Sequence, residues 1–141
     1  MPLRWYSYLV DEEEPVELSG IHGRSGEPLR LFTLATVSGQ RRPETPVYVL
    51  VSPTTHSAAE ALAYDLQALQ RATIVGEPTR GGAHPDRFFV IADQFLLTVP
   101  IAQALNPITG TNWEGTGVIP DVQTTAEEAL EVAHRLAQNE S

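Results

Sequence analysis

The sequence predicts a mixed α/β layer. Three observations carry that prediction. From Pro46 onward the local signals alternate: a strand over Val47–Val51, a helix over Ser57–Gln70, and a strand over Ala72–Val75. Both strand segments are nearly continuous apolar runs, which suits strands buried on both faces. Within the helix, Leu62, Leu66 and Leu69 recur at the spacing that makes one apolar face.

The remaining elements follow in chain order. Arg4–Val10, with Trp5, Tyr6 and Tyr8, reads as the tail of a helix or strand, and the acidic run Asp11–Glu14 as a solvated loop. Val16–His22 and Leu29–Ala35 read as strands flanking a hairpin turn over Gly23–Pro28, with Gly20, Gly23 and Gly26 as turn residues. Ser38–Pro46 is polar, contains two prolines and forms a loop. After the central unit, Phe88–Ala92 and Phe95–Pro100 read as a hairpin. The alternation of Phe95, Leu97 and Val99 predicts one buried face for it. A last helix runs over Thr125–Ala137, capped by Thr124 or Thr125 with Glu127 or Glu128 three residues on. His134–Arg135 then fall in its last turn, where cations suit the helix dipole.

Composition narrows the function. The chain has 141 residues, one domain's worth, and its 42% hydrophobic and 19% charged content is that of an ordinary globular protein. A formal net charge of −9 with no basic stripe argues against nucleic acid, whose phosphates would be repelled. No apolar run approaches a membrane span, and the first residues show no charged-then-apolar signal pattern. Cysteine is absent, so disulfide and thiol chemistry are excluded. Four scattered histidines without zinc spacing suggest no metal site, and no cofactor motif is present. Lysine is absent too: all nine basic residues are arginine.

Ser57 lies where the first buried strand turns into the helix, in Thr54-Thr55-His56-Ser57-Ala58-Ala59-Glu60. Several hydrolase folds place a nucleophile at such a turn, with its hydroxyl facing a cleft and free helix N–H groups beside it. The same letters, Ser57-x-x-Glu60, also spell a capping box.

Further motifs stand with it. Arg71-Ala72-Thr73-Ile74-Val75-Gly76-Glu77-Pro78-Thr79 is followed by Gly81-Gly82-Ala83, then by Asn106-Pro107-Ile108-Thr109-Gly110-Thr111-Asn112-Trp113-Glu114-Gly115-Thr116-Gly117-Val118 and Pro120-Asp121. Together with Ser57-Ala58-Ala59-Glu60 these resemble the C-terminal half of the catalytic domain of the tail-specific (C-terminal-processing) serine peptidases. The similarity is strongest to the branch that includes interphotoreceptor retinoid-binding protein. It covers roughly Pro46 to Leu136, so residues 1–45 read as an N-terminal hairpin and loop at the domain's edge, and 46–141 as the C-terminal part of the catalytic domain.

The resemblance implies the ClpP/crotonase-like spiral α/β fold, only a portion of which is present here, either as a fragment or as a truncated product. It implies Ser57 as nucleophile, the Ala58 N–H as an oxyanion donor and Glu114 as a carboxylate that orients polar groups. Most members take their general base from a lysine, and the matching position here is Gly82. Arginine cannot replace it, because a pKa above about 12 keeps it protonated. A Ser–Lys dyad is therefore impossible in this chain. That departure points to a histidine-dependent branch or to a family member that has lost catalysis; the resemblance places the base histidine and the Gly-rich oxyanion loop upstream of what is here. Within the chain, His84, next to Gly81-Gly82-Ala83, is the better candidate base. His56 is expected to point away from the Ser57 hydroxyl, and His22 and His134 read as structural. Glu77 and Asp121 read as loop-bonding residues, and Asn106-Pro107 and Trp113 as parts of a shaped loop.

Three functions are compatible with this reading. The first is a serine-type peptidase acting on polypeptides through an acyl-enzyme, of which this chain alone is expected to be an incomplete and inactive part. The second is a non-catalytic module binding hydrophobic ligands, as the retinoid-binding relatives do. The third is a crotonase-like enzyme acting on acyl-thioesters. The two apolar strands also predict self-association as a homo-oligomer, or coverage by a missing N-terminal half.

Overall fold

The structure, a computed structural model, describes residues 3–11 and 14–139. The chain opens with helix α1 (Leu3–Leu9), which buries Tyr6 against Leu18 and Leu66. Glu12 and Glu13 of the acidic run lie outside the described residues. Strands β1 (Glu17–Gly23) and β2 (Leu29–Phe32) pair antiparallel around the predicted turn. Gly20 belongs to β1 rather than to the turn, at a break in register between Leu18 and Ile21. A Cβ there would lie 2.8 Å from the Leu29 carbonyl oxygen, so the close approach requires glycine.

The central unit has the predicted order of elements, but only its second strand is largely buried: in the first, at the end of its sheet, Leu50 is 43% exposed. Strands β3 (Tyr48–Val51) and β4 (Thr73–Gly76) are parallel, and helix α2 (Ala58–Ala68) connects them. Leu66 is buried on the inner face of α2, with Leu62 and Leu69 packed beside it. The helix stops at Gln70, which takes a left-handed φ of 53°.

After the hairpin β5 (Asp86–Ile91) and β6 (Phe95–Pro100), two short strands that the sequence left unread complete the sheets. β7 (Ala102–Leu105) joins the free edge of β1, and β8 (Val122–Gln123) joins β4. The sheet orders are β2-β1-β7 and β3-β4-β8. Helix α3 (Ala129–Asn139) closes the second sheet by packing Ala129 and Ala133 on Val75.

Two further expectations need correction. The β5–β6 hairpin has no buried face: Phe95 and Leu97 are exposed on one side, and Phe88 and Val90 on the other. Its strands pair only with each other, so among the described residues no third strand covers it. The last helix starts later and runs further than its pattern predicts. A turn over residues 126–128 takes the capping bond, from the Glu128 N–H to Thr125 Oγ1 at 3.3 Å, so His134 and Arg135 sit before the last turn.

A buried carboxyl joins several of these elements. Asp65 Oδ1 accepts the Ser19 N–H at 3.1 Å, the Ser19 hydroxyl at 2.5 Å and Asn106 Nδ2 at 2.9 Å. Its Oδ2 accepts the Tyr6 hydroxyl at 3.3 Å. Burial raises the Asp65 pKa above its ordinary value of 3.8 and outweighs these four hydrogen bonds, each of which lowers it. The folded state then holds the Asp65 proton more tightly than the unfolded state. The contribution of Asp65 is therefore fully present below pH 3.8 and is lost as pH rises through the raised folded value. Denaturant titrations at rising pH above 3.8 should show this loss, and Asp65→Asn should flatten it. Equal slopes in the two proteins would place the titrating group elsewhere.

Candidate active site

Ser57 is the N-cap of α2, at the turn out of β3. Its backbone has φ 56° and ψ −118°, a region that side-chain-bearing residues rarely occupy. Such strain persists only where the surroundings hold it. The holding group is Glu60, fully buried one turn into α2. Its Oε2 accepts the Ser57 N–H at 2.8 Å and the Gly82 N–H at 3.0 Å. Its Oε1 accepts the Thr79 hydroxyl and the Gly81 N–H, each at 2.6 Å. Burial alone would raise the Glu60 pKa, but these four donors together bring it below the usual carboxylate range. One ionised carboxylate thus ties the serine turn to the Gly81–Gly82 loop.

The sequence read Glu60 only as a cap. The available signal was its pairing with a Gly-Gly segment in a chain without lysine. A buried carboxylate there has to be satisfied by backbone and hydroxyl donors.

The glycine loop is held from its other side by residues 112–118. Trp113 is buried and donates Nε1–H to the Gly82 carbonyl at 3.1 Å. The Gly115 N–H donates to the Gly81 carbonyl at 2.9 Å. Glu114 Oε2 accepts the N–H of Ala83 at 2.6 Å and of His84 at 3.0 Å. His84 Nδ1 lies 3.8 Å from the same oxygen, in reach of an ion pair when the ring is protonated.

An open cavity of about 500 Å³ lies over these loops. Ser57, Ala58, His84 and Glu114, the four residues singled out in the sequence, all line it. Ala58 is the first residue of α2, so its N–H is one of the donors that the helix itself leaves unpaired. His56 lines the same cavity. Its imidazole rests so close over Gly82 that a Cβ at that position would collide with the ring. The cavity floor is apolar, built from Ile21, Ala61, Ala83, Ala104 and Trp113.

The other sequence candidates lie apart. His22 is on β1 opposite Gln103, and His134 is exposed on α3. Asp121 accepts the Ile74 N–H at 2.7 Å and Gln67 Nε2 at 2.8 Å, and Glu77 accepts the Ala126 N–H at 2.9 Å. Glu77 thus bonds a turn, whereas Asp121 ties strand β4 to helix α2 instead of bonding a loop. Asn106 is buried, accepts the N–H groups of Ile108 and Thr109, and donates to Asp65, shaping its loop from below. Among the described residues no group of three or more His, Asp or Glu side chains is arranged to hold a metal ion, and no helix is long and apolar enough to cross a membrane.

Comparison with known proteins gives a consistent picture. The model of peptidase family S41 matches residues 10–124. A carboxyl-terminal-processing protease of Synechocystis sp. (strain ATCC 27184 / PCC 6803 / Kazusa) is 36% identical over 86 residues, which are 61% of this chain and 20% of that protein. The solved photosystem II D1 C-terminal processing protease superposes with a TM-score of 0.61 at 29% identity, covering 86% of this chain and 30% of that one. A lipoprotein from Streptococcus agalactiae, 17% identical, superposes with a TM-score of 0.65 over 96% of this chain and 47% of that one. At that identity the likeness concerns the fold alone. The chain spans about a fifth of the length of the curated relative and less than half of these solved structures.

Proposed function

We propose a function from one premise: this chain belongs to peptidase family S41. Its fold is accordingly a part of the ClpP/crotonase-like spiral, with residues 1–45 at the edge of the domain and 46–141 forming its C-terminal catalytic part. The protein is a serine-type peptidase of the tail-specific kind, and its substrates are polypeptides. The observation that carries this reading is the strained backbone of Ser57, held at a helix N-terminus over an open cavity.

In this mechanism the Ser57 hydroxyl oxygen attacks the carbonyl carbon of a bound peptide bond. The Ala58 N–H is one donor to the oxyanion that forms. His84 is the base within this chain: it takes the serine proton and returns it to the leaving amine. Glu114 fixes the backbone of residues 83–84 and lies 3.8 Å from His84 Nδ1. The acyl-enzyme is then hydrolysed by water, which regenerates the serine. The same reading includes a homo-oligomer, or coverage of the exposed apolar strands by a further segment of a longer protein.

A fluorophosphonate probe on the complete protein tests the nucleophile. The expected result is one label per chain, on Ser57, with labelling slowed about 10²–10⁴-fold in His84→Ala. Co-purifying apolar ligand without any labelling would instead identify a binding module. Unchanged labelling in His84→Ala would place the base outside this chain.

A further inference from the structure

The β5–β6 hairpin is the largest feature that this mechanism does not use. Phe88, Val90, Phe95 and Leu96 are 63%, 69%, 65% and 66% exposed, and Phe89, Ile91 and Leu97 are nearly half exposed. Over the two faces of the hairpin together these seven side chains present on the order of 600–700 Å² of apolar surface. Hairpin register places Arg87, Phe89 and Ile91 beside Val99, Leu97 and Phe95 on one face. Arg87 stands at the base of this face, and Asp93 lies at the tip, about 20 Å away. Neither belongs to an ion pair among the described residues.

We infer that this hairpin is a self-association arm, which packs against the same hairpin of a second copy about a two-fold axis. Two observations select a second copy. The face that can enter one such contact, Phe89, Ile91, Phe95 and Leu97, pairs about 700–800 Å² of apolar surface between two copies, the size of a weak dimer. An antiparallel two-fold packing also brings Arg87 of each copy to Asp93 at the tip of the other, in the reciprocal manner of isologous contacts. A lipid surface fits less well. The net charge is −9, and the tip offers Asp93 and Gln94 rather than basic residues, so anionic headgroups would repel it. The inference concerns association only and stands whether or not the cavity is catalytic.

Sedimentation equilibrium of the chain from about 1 to 100 μM is the test. A dimer is expected. Phe95→Ser should raise its dissociation constant by at least about tenfold, and Arg87→Asp by about three- to tenfold. The double substitution Arg87→Asp/Asp93→Arg should restore it. The two positions stand at opposite ends of one hairpin, so only a contact between copies can give this rescue. Circular dichroism of each variant separates lost association from lost folding. A monomer at 100 μM, a double variant no tighter than Arg87→Asp, or binding to phosphatidylcholine vesicles without dimerisation would each overturn the inference. So would a monomeric complete protein whose hairpin amides are protected from exchange, since its own remaining segments would then cover the arm.

Discussion

Replacing Ser57 with glycine is expected to abolish peptide hydrolysis by the complete protein while making the fold more stable. Both effects have the same origin. The hydroxyl is the proposed nucleophile, and removing it should lower kcat/KM by about 10⁴–10⁶. Its backbone, at φ 56° and ψ −118°, carries a strain cost of about 1–3 kcal/mol for any residue with a Cβ. Glycine pays almost none of this, and as an N-cap it loses only a few tenths of a kcal/mol relative to serine. Ser57→Gly should therefore unfold about 1–2 kcal/mol later than the parent. Ser57→Ala should be equally inactive without that gain, because it keeps the Cβ. Peptide assays and denaturant titrations of the two variants side by side decide this. A destabilised glycine variant would mean that the turn is not strained. An alanine variant that still turns over substrate would remove Ser57 from the chemistry.

The second large effect is on Glu60. Glu60→Ala would leave the N–H groups of Ser57, Gly81 and Gly82 and the Thr79 hydroxyl without their acceptor. A buried donor left unpaired costs about 1–3 kcal/mol, so a total loss of about 3–5 kcal/mol is expected, enough to unfold many domains. Glu60→Gln should do little better, since its amide nitrogen would face backbone donors rather than acceptors. Thermal melts measure this directly. Because the Glu60 pKa lies below its ordinary 4.5, its contribution should also fade as pH falls below 4.5, opposite in sign to that of Asp65. A Glu60→Gln protein with parental stability would show that the glycine loop does not depend on this carboxylate.

The parts of the fold legible in the sequence were those written as local periodicity. The apolar runs at Val47–Val51 and Ala72–Val75, and the leucine face of α2, found their elements to within two residues. β7 was invisible because Ala102-Gln103-Ala104-Leu105 carries no strand signature. It exists only because β1 offers an open edge. The hairpin misled for a related reason. Alternation of Phe95, Leu97 and Val99 reports that a face is apolar, and burial depends on a neighbour that no local pattern names. In the cavity, Ser57 and Glu114 were legible as motif residues. The role of Glu60 was hidden because three of its four donors are backbone or hydroxyl groups 19 to 22 residues away, which leave no charge partner in the sequence.

The imidazole lying over Gly82 bears on the order in which this site can change over generations. Gly82 is not among the glycines with left-handed φ, so its backbone would accept an ordinary residue. The obstacle is the ring of His56. A lineage moving toward a side-chain base at position 82 must first shrink or redirect residue 56. A lineage moving the other way must empty position 82 before a histidine can settle beside the serine. Each first step is tolerable alone and each second step is not, so the path between the two designs runs in one order from either end. A laboratory attempt to graft a lysine here should begin at His56.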